Sequence, residues 1–413
     1  MADYREYLVP KINKFDLGLF ISVFALICIG VISIFSATYG GTNSGNVSKQ
    51  IIAASIGLIS MLAITYTPER LLRLAAYPSY GLSILLLVLV VLVGDEINGS
   101  KGWIRLGGFN FQPAEFAKLG TLFALASFGS GKGVDVRNIR DLGISALLSI
   151  LPVYLIMKQP DFGSASVILF MYLGVLFWAG FETFVLYVIF MLPILVIFSL
   201  KSQMLFVIFL VVASVAVLFF RKKIIWSAIV IGLFISAGFA APKVYENLAS
   251  HQKKRIEVFL NPDSDPRGAG YNVIQSKLAV GSGGVLGEGY LQGSQTQLKY
   301  VPYQWTDFIF SVPAEEFGFI GATLIVLLYM NLLRRSIKTA FEADSKFLSL
   351  LSAGAIFIFF YHILINIGMV IGLMPVMGIP LPFMSYGGTS MIFNLTLIGI
   401  LLNAYRQKRI RKI

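Results

Sequence analysis

An all-α polytopic membrane protein with about twelve transmembrane helices is the fold this sequence predicts. Three observations carry it: 57% of the 413 residues are hydrophobic, only 13% are charged, and apolar runs recur from end to end. The mean hydropathy of +0.79 lies outside the range of a soluble domain. Since roughly 20 helical residues cross a hydrocarbon core, spans are expected near 16–37, 50–67, 76–94, 113–129, 142–157, 164–179, 181–199, 203–220, 224–242, 307–333, 347–374 and 387–405.

Each element has its own signal. The first run is long enough to span and is followed by no small-residue cleavage pattern, so it reads as a retained helix and not as a signal peptide. Its Cys28 is the only cysteine, which leaves no disulfide or thiolate metal site within one chain. Arg70 and Arg73 separate the second and third runs, and Pro113 opens the fourth at a position where helices accept proline. "KQPDFGSA" (158–165) divides the fifth run from the sixth. Residues 181–242 hold three runs whose division is open. A polar stretch at 243–306 precedes the tenth, and prolines and glycines between 375 and 386 set off the last. His251 and His362 are too few and too distant in sequence for a metal cluster; His362, on a membrane helix, reads as a hydrogen-bonded packing residue.

Charge distribution gives the orientation. Alternating the loops from a cytoplasmic N-terminus places 20 of the 33 Lys and Arg residues inside: Arg5, Lys11 and Lys14; Arg70 and Arg73; Lys132, Arg137 and Arg140; Arg221, Lys222 and Lys223; Arg334, Arg335, Lys338 and Lys346; and Arg406, Lys408, Arg409, Arg411 and Lys412. The positive-inside rule therefore predicts both termini in the cytoplasm and an even number of spans. Topology and anionic membrane lipids account for the basic tail and the net charge of +12, so no nucleic-acid partner is expected. The chain reads as a single domain over 1–413, with 243–306 a large extracytoplasmic loop that lies on the same face as 98–113 and 158–165.

That face holds the residues with chemical potential. In "NPDSDPRGAGYN" (261–272), Pro266 and Gly268 keep Asp265 out of regular helix. Asp265 reads either as a turn carboxylate capping the next helix or as a general base. Glu115 and Lys118, three apart on one helix, read as a structural pair or as holders of a substrate's cation and anion. Arg105 and Lys158 supply external positive charge suited to phosphate, and Asp161 reads first as a helix cap. Asp307, Glu315 and Glu316 are placed at or just inside the tenth span, where ionisable groups mark a functional site or an internal pair. "GSGGVLGEG" (281–289) lacks the lysine and the strand-turn-helix setting of a phosphate loop, and no nucleotide-driven pump is indicated.

Several stretches together resemble the SEDS family of shape, elongation, division and sporulation proteins, most closely its RodA branch. They are "GSKGWIRLGGFNFQPAEFAKL" (99–119), "KQPDFGSA" (158–165), "RIEVFLNPDSDPRGAGYNVIQSKLAVGSGGVLGEG" (255–289), "TDFIFSVPAEEFGFIG" (306–321) and "GLMPVMGIPLPFMSYGGTSM" (372–391). The resemblance implies a peptidoglycan glycosyltransferase of cell elongation in the bacterial cytoplasmic membrane. Its substrates would be lipid II and undecaprenyl-pyrophosphate-linked glycan. Its partners would be a class B penicillin-binding protein, the transpeptidase, and the elongation machinery. It puts the family's essential aspartate at Asp265 and its other matching positions at Arg105, Glu115, Lys118, Asp161, Gln275, Ser276 and Lys277.

Glu288 stands where relatives commonly have a basic residue, and Trp305 where they have histidine. The family's usual layout has ten helices, so 181–242 is expected to contain an inserted pair. The reaction expected is an inverting transfer with Asp265 as base and cations, alone or with a divalent ion such as magnesium or manganese, on the leaving pyrophosphate. The rival readings are a lipid flippase or ion-coupled transporter, which would use buried Glu315 and Glu316, and a non-catalytic scaffold for the penicillin-binding protein.

Overall fold

The computed structural model describes residues 15–41, 45–97, 100–106, 109–220, 224–247, 250–268 and 270–407. Ten of the basic residues used for orientation, Arg5, Lys11, Lys14, Arg221, Lys222, Lys223, Lys408, Arg409, Arg411 and Lys412, lie outside the described residues. Twelve long helices stand where the twelve spans were expected. They are α1 (Leu17–Thr38), α2 (Gly45–Tyr66), α3 (Glu69–Val93), α4 (Pro113–Gly129), α5 (Ile139–Met157), α6 (Phe162–Trp178), α7 (Thr183–Lys201), α8 (Gln203–Phe219) and α9 (Ile224–Glu246), followed after a gap by α14 (Gly318–Glu342), α15 (Lys346–Val370) and α16 (Gly388–Arg406). Nine of these are long and apolar enough to cross a membrane; α4, α6 and α8 are shorter, at 17 residues each. The chain is an integral membrane protein. Between α9 and α14 come the short helices α10 (Ser250–Leu260), α11 (Tyr271–Ser282), α12 (Ser294–Gln297) and α13 (Ser311–Glu316).

Two compact units are present, one comprising residues up to Ala179 and from Gln275 onward, the other Gly180–Ile274. In the first, α16 packs along α2, α3 along α4, and α15 against α6, α14 and α4. Helices α15 and α16 are the most buried. Polar side chains lock the α2/α16 contact: Ser60 and Thr396 hydroxyls lie 2.8 Å apart, and the Asn403 amide donates to the carbonyls of Ile64, Thr65 and Thr67 where α2 ends. Those carbonyls have no helical partner of their own. In the second unit α7, α8 and α9 pack around Phe184, Leu195, Phe206, Val230 and Phe234.

Two expectations change in detail. The tenth span does not begin at 307: the apolar run is continuous in hydropathy, but α13 ends at Glu316, and Gly318, at φ +61°, starts α14 in a conformation that only glycine adopts freely. Asp307, Glu315 and Glu316 therefore precede the span. The protein is also not wholly helical. Strands β1 (Asp95–Ile97), β2 (Ser100–Leu106) and β3 (Phe109–Phe111) form an antiparallel meander in which Arg105 pairs with Asn110. Short aromatic and β-branched runs on either side of Gly107-Gly108 carry the strand signal.

Candidate active site

In the second unit, the segment around Asp265 is built by its backbone. Pro262–Ser264 form a single 3-10 turn and Asp265 caps it at φ −142°, ψ 68°. Its N–H donates to the Pro262 carbonyl at 3.3 Å, and its own carbonyl accepts from Gly268 at 3.2 Å and Gly270 at 3.1 Å. The two glycines are required by close approach. A Cβ on Gly268 would stand 2.3 Å from a carboxylate oxygen of Asp265, and one on Gly270 would stand 2.1 Å from the Pro262 carbonyl. The Asp265 side chain is half-buried, while Asp263 and Arg267 are exposed. The loop thus holds one carboxylate in a fixed, partly accessible position immediately before α11.

The other predicted residues belong to the first unit. Glu115 and Lys118 form an ion pair of 2.7 Å one turn apart on α4, with side chains only 2% and 1% exposed. Asp161 caps α6 by accepting from the Ser164 N–H at 2.9 Å, and its second oxygen accepts from the Gln112 amide at 3.2 Å. Arg105 on β2 and Lys277 on α11 are exposed. Ser276 is buried, its hydroxyl donating to the Val370 carbonyl at the end of α15, and Gln275 beside it is half-buried. The fold therefore brings Glu115 to Lys118 and anchors Asp161 and Ser276 through local hydrogen bonds.

One neighbour of Asp161 was not singled out as a site residue. Asp307 lies close enough for the two carboxylates to repel: burial, then the Asp161 charge, raises the Asp307 carboxyl to about 6. Its backbone carbonyl accepts from Asn366 at 2.8 Å. Because this acid is weaker in the folded protein, its contribution to stability is fully present below pH 4 and is lost as pH rises through 6. Asp307→Asn is accordingly expected to raise the melting temperature at pH 7.5 and to flatten its dependence between pH 4 and 7, removing a cost of at most about 3 kcal/mol. Thermal unfolding in detergent across that range checks it.

Glu315 and Glu316 organise the outer loop. Glu315 accepts from the Gln295 N–H at 2.6 Å and from the N–H and hydroxyl of Thr296 at 3.0 and 2.5 Å. Glu316 accepts from the Leu291 N–H at 3.2 Å and from the Ser36 hydroxyl. The glycine-rich stretch wraps the same short helix, with Glu288 N–H donating to the Glu315 carbonyl and Gly289 N–H to that of Glu316, both at 3.0 Å. These carboxylates replace the water that loop N–H groups would otherwise need. Glu315→Ala would strand two backbone donors and is expected to destabilise by about 2–4 kcal/mol, with hydrogen exchange of 288–297 speeding selectively.

Sequence reasoning did not single out the residues that hold the segment 371–387. His362 Nδ1 lies 2.9 Å from the Pro380 carbonyl, Asn366 donates to Ile379 at 2.8 Å, Tyr329 to Pro382 at 2.5 Å and Gln50 to Ser385 at 3.0 Å. Buried polar side chains on otherwise apolar helices were the available signal.

The FtsW/RodA/SpoVE family, described as a cell cycle protein family, matches residues 17–211 and 199–410. The peptidoglycan glycosyltransferase RodA of Treponema pallidum is 32% identical over 429 residues, covering 96% of this chain and 98% of that protein. The stage V sporulation protein E of Bacillus subtilis is 36% identical over 403 residues, covering 95% and 98%. A chain in a solved peptidoglycan synthase complex that coordinates polymerization and crosslinking superposes with a TM-score of 0.72 at 30% identity, covering 95% of this chain and 98% of that one.

Proposed function

The chain belongs to the FtsW/RodA/SpoVE family and is a peptidoglycan glycosyltransferase of the RodA type, and from that premise we propose that it polymerises lipid II by an inverting transfer with Asp265 as general base. The carboxylate takes the proton from the 4-hydroxyl of the acceptor GlcNAc as that oxygen attacks the anomeric carbon of the growing strand. The bond from that carbon to the undecaprenyl pyrophosphate breaks, and the pyrophosphate leaves with the electron pair. The observation that carries the assignment is the clamp at Asp265. Backbone bonds on both sides and a glycine beneath the carboxylate fix a half-buried acid without burying it.

The leaving phosphates need positive charge. Arg105 and Lys277 are exposed and suited to direct contact, while Lys118, held by Glu115, contributes a charge that is little screened by water. Gln275 and Asp161 are proposed to orient the sugar headgroup. Ser276 is proposed to fix α11 against α15. Among the described residues no three His, Cys, Asp or Glu side chains come together as metal ligands. A magnesium or manganese ion entering with the substrate would take its remaining ligands from phosphate and water.

The same reading places both termini in the cytoplasm, the loop of 243–306 outside, and an inserted helical pair within 181–242. It gives the chain a class B penicillin-binding protein as partner, supported by its likeness to a chain of a synthase complex. The transporter alternative relied on Glu315 and Glu316, whose carboxylates are occupied by loop donors. The test is incubation of purified protein with lipid II, with and without the partner transpeptidase, and gel separation of the products. A ladder of glycan strands is expected; unchanged lipid II in both cases would refute the proposal.

A further inference from the structure

Lys118 is among the largest fully buried side chains, and an ammonium inside an apolar bundle needs acceptors for its three hydrogens. Glu115 Oε1 takes one, and the Phe393 ring lies 5.4 Å from Nζ. Two further acceptors are buried without a hydrogen-bond partner in the protein, Glu115 Oε2 and His362 Nε2. The tautomer of His362 follows from its other nitrogen. Nδ1 lies 2.9 Å from the Pro380 carbonyl, which only accepts, so Nδ1 carries the hydrogen and Nε2 presents a lone pair. The charge of Lys118 acts on this ring. A buried acceptor near a cation with hydrogens to give is normally satisfied through ordered water.

We propose that His362 is a positioning residue for Lys118: its Nε2 accepts from the ammonium through one ordered water, while its Nδ1–H ties the pair to Pro380 in the segment 371–387. This rests on the reading that Lys118 supplies charge to the leaving phosphates. Asn366, one turn further along α15, holds Ile379 and Asp307 by their carbonyls. One face of α15 thus sets the outer segment, and through His362 the same segment is linked to the cation on α4. The ring is neutral in this role, since a second N–H would point a donor at an ammonium.

The chain has only two histidines, so a histidine-15N label with His251→Gln resolves the His362 ring in the intact protein. The Nε2 resonance should be that of a hydrogen-bonded acceptor and should move on Lys118→Met; an unchanged resonance overturns the inference. Lipid II affinity and initial polymerisation rate complete the test. His362→Gln, which keeps a donor and an acceptor, should stay within about two-fold of wild type, and His362→Leu should lose about ten-fold in affinity, with no further loss in the Lys118→Met background. An equal loss in both backgrounds marks a purely structural histidine and overturns the proposal. Lys118→Met that binds and polymerises like wild type, with the resonance moved, removes the phosphate role of Lys118 and leaves the histidine–lysine link standing.

Discussion

Asp265→Asn is expected to fold and insert as the wild type does and to lose polymerisation by about 10²–10⁴-fold, the usual contribution of a positioned general base. The local structure explains why folding survives. The turn is closed by the backbone N–H and carbonyl of Asp265, which asparagine also has, and the amide matches the carboxylate in size where it rests on Gly268. What changes is basicity alone, since an amide does not accept the acceptor sugar's proton. Strand formation from lipid II, followed beside thermal unfolding in detergent, checks both halves. A variant that melts like wild type and polymerises at the wild-type rate would remove the base assignment.

Lys118→Met is expected to damage both stability and activity, and a compensating change should separate them. Removing the cation leaves Glu115, 2% exposed, as an unpaired charge inside the bundle, which typically costs about 3–5 kcal/mol. Glu115→Gln combined with Lys118→Met removes the stranded charge and is expected to recover most of the melting temperature. Activity should not return, because the cation is still missing. Unfolding and lipid II polymerisation of the two single variants and the double variant give the answer. Recovery of both properties together would make the pair a purely structural one.

Much of this was legible in the residues because hydrophobic length and basic loops obey strong constraints. Twelve spans were placed from apolar runs, and twelve long helices stand there. Errors arose where hydropathy is continuous but backbone geometry is not. The run beginning at Asp307 looks like one span because FIF, SVP and FGFIG are all apolar, yet Gly318 at positive φ separates a short buried helix from α14. The strand meander was missed for the opposite reason, being short and embedded between stronger helical signals.

At the site, a turn around Asp265 was readable from Pro266 and Gly268, and the ion pair of Glu115 with Lys118 from its spacing of three. The proximity of Asp161 to Asp307, 146 positions apart, left no local pattern. The loop-holding work of Glu315 and Glu316 was hidden in the same way. Their acceptors are read from sequence easily, but the donors they serve at 291 and 295–296 are backbone groups that every residue carries.

The most direct test of the account reconstitutes wild type and Asp265→Asn in liposomes and measures glycan polymer and lipid II translocation in the same vesicles. Polymer from wild type only, with no protein-dependent translocation in either, is the predicted result. Translocation by both proteins with polymer from neither would contradict it and make the chain a carrier of the lipid and not its polymerase.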